Sequence, residues 1–136
     1  MSKFDIASLE LKDEGTVVIF DATGDNELMI DGSPVSVTVY GIGSKQYVSA
    51  KYRFDNANTA MMTSMLQKKA SSANRAEESA KNAADFLAAV TKSLNNLPID
   101  GGALALYSNP KLKYITDQVD KYLGEASNFM PSLPPK

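Results

Sequence analysis

Val35, Val37 and Val39 alternate with Ser36, Thr38 and Tyr40. This period of two sets the valines on one face of a strand and the polar or amphipathic residues on the other. Residues 16–20, Thr-Val-Val-Ile-Phe, make a second β-branched and aromatic run, followed by the turn-rich Asp21-Ala22-Thr23-Gly24-Asp25. Residues 27–30 offer a third run that can pair with the second, and Asp31-Gly32-Ser33-Pro34 is a further turn signal. Two turns joining three runs predict an antiparallel meander, and one this small needs a layer packed on its apolar face.

Beyond Gly41-Ile42-Gly43 the apolar spacing becomes helical. Ser44 is a candidate N-cap for a helix through Tyr47, Val48, Ala50 and Tyr52. Asp55-Asn56-Ala57-Asn58 is poor in helix formers and predicts a bend or pause before the helix resumes at Met61, Met62, Met65 and Leu66. Residues 67–74 carry no apolar stripe and read as a mobile connection or a solvated helix extension. The clearest helix is expected over 77–97, where Ala80, Ala83, Ala84, Leu87, Val90, Leu94 and Leu97 step by three or four. Pro98 ends it, and Asp100-Gly101-Gly102 reads as a loop. Asn109-Pro110 then looks like an N-cap with Pro at the first helical position, and Gly124 like the stop. Leu112, Ile115, Val119 and Tyr122 or Leu123 supply the buried side, and the tail from Glu125 is expected to be irregular. The expected fold is α+β, one domain over 1–136. A small N-terminal antiparallel β meander (about 14–41) packs on a helical C-terminal two-thirds (about 44–124), with an irregular tail at 125–136. No internal repeat is visible.

Composition sharpens this by what it lacks. The 136 residues are 43% hydrophobic and 22% charged, which excludes a wholly disordered or collagen-like chain. There is no His, Cys or Trp. The commonest general base at neutral pH, the thiolate nucleophile and the structural zinc site are therefore all missing. The expectation is a protein that is not an enzyme, with no catalytic residues, metal or cofactor. Apolar runs such as 17–20 and 86–90 fall far short of the roughly 20 residues of a membrane span. The opening Met1-Ser2-Lys3-Phe4-Asp5 lacks the apolar core of a secretory signal, so no membrane association and a cytoplasmic location are expected. Net charge is −2 but segregated: residues 1–31 hold eight acids against two lysines, and residues 45–81 hold seven bases against three acids. This is too mild to predict a nucleic-acid partner. It fits either two solvated faces or an acidic face that meets the basic face of a second copy.

Other constellations resolve into ordinary structure. Counted as a calcium loop from Asp21, the sixth position is Asn26 instead of Gly and the twelfth is Gly32 instead of Glu, leaving a turn. Gly41-Ile42-Gly43 lacks the third glycine of a dinucleotide site and no phosphate loop occurs. Asp117 and Asp120 share a helix side with Lys113 and Lys121, as surface ion pairs do. Tyr40, Tyr47 and Tyr52 beside Lys45, Lys51 and Arg53 mix aromatics and bases, which fits a core edge better than base stacking. Met61, Met62 and Met65 beside Leu66 carry the more specific expectation. Methionine adapts to varied partners, so these four are candidate protein-binding residues, against the plainer reading of core filling. Phe129 and Met130 in the tail are candidates for docking onto a neighbour.

The order of features resembles the tail assembly chaperones of long-tailed bacteriophages. Three stretches carry the resemblance: Phe4-Asp5-Ile6-Ala7-Ser8-Leu9; then Asp21-Ala22-Thr23-Gly24, Leu28, Asp31 to Val37 and Gly41 to Ser44; and finally Tyr107-Ser108-Asn109-Pro110, Leu112, Ile115, Gln118-Val119, Gly124 and Asn128-Phe129. The chain departs from the family pattern where Ala103-Leu104-Ala105-Leu106-Tyr107 replaces a Trp-containing junction, and where Lys, Asn and Met dilute an Arg-rich middle helix. The resemblance implies a protein of the infected bacterial cytoplasm that binds the tape measure protein, keeps it soluble and helps the tail tube protein polymerise around it. It also implies self-association, absence from the mature virion, and in many members a longer form made by programmed frameshift. The alternative is a structural tail or head-completion component of the virion.

Overall fold

The computed structural model describes residues 9–68 and 72–130. Its elements run β1 (Glu14–Val18), β2 (Met29–Ile30), β3 (Ser33–Pro34), β4 (Ser36–Tyr40), α1 (Lys45–Lys68), α2 (Ser72–Ala89), β5 (Thr91–Asn95), α3 (Gly102–Ser108) and α4 (Lys113–Leu123). Short 3₁₀ turns occupy Pro110–Leu112 and Ala126–Phe129. The class is α+β, as the sequence pattern predicts.

The alternating valines form the central strand. β4 lies between β1 and β5, antiparallel to both. Val37 and Val39 are fully buried on the face that also receives Val17, opposite Val37. The other face is polar: Asn95 Nδ2 donates to Ser36 Oγ at 3.1 Å and Thr38 Oγ1 at 3.0 Å, and Lys92 Nζ donates to Glu14 at 2.7 Å. Against the valine face pack the end of α2, α3, α4 and the last turn, contributing Leu87, Val90, Leu106, Ile115, Val119, Leu123 and Phe129 to one core.

The order of strands corrects the simple meander. β1 takes β4 as its neighbour, while residues 27–28 reach it only at its end, through the Phe20–Glu27 bridge and a 2.8 Å bond from Leu28 N to Ile19 O. β2 and β3 then form their own hairpin. Its two-residue turn, Asp31 at φ 52° and Gly32 at φ 78°, is the left-handed pair that matches strand twist. The wider turn before it is closed by the Asp21 carboxylate, which accepts from Thr23 N at 3.1 Å and Gly24 N at 3.2 Å.

The helix expected over 77–97 stops at Ala89, and residues 91–95 become β5. Without it, β4 would leave one edge of a buried valine strand unpaired. The exit is marked by Thr91, whose hydroxyl donates to Leu87 O at 2.8 Å, and by Tyr40 N donating to Val90 O at 2.7 Å. α1 is continuous through 55–58, where a pause was expected. The Lys51–Asp55 pair at 3.3 Å and the Asn82 amide donating to Asn58 at 3.0 Å hold that stretch. Its N-cap is Ser44, whose Oγ accepts from Tyr47 N at 3.1 Å. Of the connection expected at 67–74, residues 67–68 are helical in α1 and 72–74 in α2, and 69–71 lie outside the described residues. α3, placed in no element by its sequence, begins at Gly102 behind Gly101, both at positive φ. Asn109 caps the turn before α4, accepting from Lys111 N, and Gly124 follows its end.

The described part of the tail, 125–130, is more ordered than expected, and 131–136 lie outside the described residues. Ala126–Phe129 makes a 3₁₀ turn that inserts Phe129 between Gly15 and Gly41. Only glycine leaves room for it: a Cβ on Gly15 would stand 2.9 Å from its ring, and one on Gly41 2.8 Å. The ring meets Tyr122 edge-on, centroids 5.3 Å apart.

Candidate protein-binding surfaces

Two candidate surfaces lie on or beside the helical hairpin that α1 and α2 form. α1 leans on α2 through Phe54 and Phe86, ring centroids 5.2 Å apart, and through Tyr47, edge-on to Phe86 at 5.4 Å. Among the described residues from 51 to 83 none is buried, so the outer part of this hairpin has little core of its own. Helices draw most of their stability from an apolar face packed on something. Here that face is incompletely covered.

The first surface is a groove of about 790 Å³ that runs from α1 across α2 to the α3–α4 junction. Its volume lies in the range of binding clefts. Ala80, Ala83 and Ala84 leave α2 low on one side, while Tyr47, Phe54, Phe86 and Tyr107 supply aromatic surface. Small residues allow close approach of another backbone, and the rings supply contact area. The rim is charged with both signs. Lys113 pairs with Asp117 at 3.0 Å, and Glu77, Lys81 and Asp120 stand nearby. Lys51, 5.1 Å from the centre of the Phe54 ring, closes the α1 end. Thr116 lines the groove, and its hydroxyl is shielded from solvent without a hydrogen-bond partner among the described residues.

Tyr107 sits where the groove meets the core. Its hydroxyl lies 2.6 Å from Thr91 Oγ1, and burial pushes its phenol above the ordinary tyrosine range, with the Thr91 hydrogen bond opposing. Partial burial likewise raises Tyr122. At the sheet, the hydrogen bond and charge of Glu14 raise Lys92. These shifts follow from packing and pairing, and none gathers into an acid–base constellation. Among the described residues no three His, Cys, Asp or Glu side chains stand together as a metal site, and no described helix is long and apolar enough to cross a membrane.

The second surface is the outward side of α1. Val48 is 59% exposed, Tyr52 70%, Met62 59% and Leu66 87%. These residues share the helix face turned away from α2, the opposite of the side that carries Ala50, Ala57 and Met61.

The residues singled out in the sequence divide accordingly. Met62 and Leu66 lie on the exposed face, whereas Met61 is half-buried toward α2. Adjacent helical positions point about 100° apart, so Met61 and Met62 do not share one patch. Met65 lies in α1, and its side chain is outside the described ones. Phe129 is fully buried in this chain's own core and presents nothing to a neighbour; Met130 beside it is exposed. Tyr52, expected at a core edge, is instead among the most exposed apolar side chains. The groove itself was missed. Its signals were Ala80 and Ala83 on the stripe of α2, which are exposed while Ala84 and Leu87 are buried, and the aromatics Tyr47 and Phe54 on α1.

The chain matches no family model, no curated protein and no solved structure in these comparisons.

Proposed function

We propose that this chain is a protein-binding assembly factor whose groove receives an apolar helix of a larger client. In line with the resemblance of its sequence to phage tail assembly chaperones, that client is the tape measure protein. The observation that carries the reading is the groove between α2 and the α3–α4 junction, with its alanine floor, aromatic walls and rim of mixed charge. A long helical client exposes apolar stripes that aggregate when bare. Seating such a stripe on alanines between aromatic rings buries it by the helix-in-groove mode. Several copies along one client would raise the effective affinity of each weak contact. Binding would take place in the bacterial cytoplasm before the tail is complete, without catalysis.

Co-expression with the tape measure protein tests this. The client is expected to become soluble and to co-purify with the chain. Ala83→Arg, an exposed change that fills the groove without removing core, is expected to abolish both effects while leaving the fold intact by circular dichroism. A client that is no more soluble with the wild-type chain than alone overturns the proposal. Recovery of the chain in purified virions would favour a structural tail component instead.

A further inference from the structure

We infer that the outward face of α1 pairs with the same face of a second copy, antiparallel and about a two-fold axis. The face is a stripe of six positions, Val48, Tyr52, Asp55, Thr59, Met62 and Leu66, alternating steps of four and three. That 3.5-residue spacing is the seam of two packed helices. Every described member is exposed in the single chain.

The stripe is symmetric about Ala57. Laid antiparallel on a copy of itself, it sets Val48 against Leu66, Tyr52 against Met62, and Asp55 against Thr59, each pairing occurring twice. The only two polar members therefore meet each other. The Asp55 carboxylate, already paired with Lys51 at 3.3 Å, accepts a hydrogen bond from the Thr59 hydroxyl of the other copy. Any uniformly apolar helix laid on this stripe would instead bury the Thr59 hydroxyl and the Asp55–Lys51 pair with no polar group facing them, at a penalty. The match between the stripe and its own reverse is what selects a second copy as the occupant.

The area is sufficient. Large side chains carry on the order of 150–250 Å² each, so the exposed fractions of Val48, Tyr52, Met62 and Leu66 amount to roughly 500 Å² per copy. A symmetric pair then buries about 1,000 Å², where specific interfaces begin. The stripe spans about 27 Å of helix, along a hairpin that buries little within one chain. Of the flanking positions Ser49, Asn56, Asn58 and Thr63 are neutral, and Lys51 falls opposite Thr63 of the other copy.

The pairing needs no client, so its test uses the chain alone and stands apart from the groove's. Sedimentation of the full chain over a concentration series is expected to show a dimer of twice the 14.6 kDa mass. Tyr52→Glu with Leu66→Glu, both surface changes in the monomer, is expected to give a folded monomer by circular dichroism. The chain has no cysteine, so disulfides can report the register. Val48→Cys mixed with Leu66→Cys is expected to cross-link, whereas Val48→Cys alone does not, because its two copies lie about 27 Å apart along the axis. A monomer at all concentrations, a dimer indifferent to the double Glu variant, or cross-linking of Val48→Cys to itself would each overturn the inference.

Discussion

The side chain of Gln118 pairs with the backbone of Phe20 as a neighbouring strand would. Its Oε1 accepts from Phe20 N at 2.7 Å and its Nε2 donates to Phe20 O at 2.9 Å, with a further bond to Tyr114 O at 3.0 Å. One amide thus fastens the chain just beyond β1 to α4. Gln118→Ala is expected to lose about 1–2 kcal/mol, near the value of a pair of partly exposed hydrogen bonds. Gln118→Glu keeps the acceptor, loses the donor and is expected to fall between. Urea midpoints of the three proteins check this order.

Phe129 gives the larger effect. Its ring fills the space over Gly15 and Gly41, so Phe129→Ala leaves a cavity and is expected to lose about 3–5 kcal/mol. Gly41→Ala is also expected to destabilise, because the added Cβ would stand 2.6 Å from the carbonyl oxygen of Lys12, a backbone atom with little freedom to yield. Met130→Ala, at an exposed neighbour, is expected to leave stability almost unchanged. Thermal unfolding of the three variants separates a core role for Phe129 from a surface one.

Alkaline pH reports on Tyr107. Burial raises its pKa in the folded state, as it raises that of Tyr122, so the native chain holds these protons longer than the unfolded chain does. The associated stability is complete below pH of about 10 and is lost as pH rises through the folded-state values. Of the six tyrosines, two are expected to ionise late in an ultraviolet titration. Tyr107→Phe should remove one of the late steps. Thr91→Val, which deletes the hydroxyl that favours the phenolate, should delay Tyr107 further.

Local signals in the sequence were sufficient where the chain itself supplies the partner. The valine alternation placed β4, Ser44 and Asn109 marked helix starts as caps, and Gly124 marked a stop. They were insufficient where distant residues decide. Val90 and Leu94 fit a helical stripe and a strand equally well, and the need of β4 for a second neighbour settles residues 91–95 as β5. Asp55 to Asn58 are weak helix formers, yet Asn82, far along the chain, holds them in α1. The buried place of Phe129 depends on two glycines from the other end of the sequence. The groove was legible only in fragments, as alanines on α2 and aromatics on α1, since its walls come from α1, α2 and the α3–α4 junction. Met62 and Leu66 were legible as exposed apolar residues, but the helix phase that separates Met61 from them required the packing against α2.

Hydrogen exchange on the complex with the tape measure protein tests the central claim most directly. In the free chain, amides of the outer hairpin are expected to exchange faster than those of β4, because few buried contacts hold them. On binding, protection is expected to rise over residues 77–87 and 107–117, which line the groove, while β1 and β4 stay unchanged. A soluble complex in which those two segments gain no protection would contradict a client helix seated in the groove.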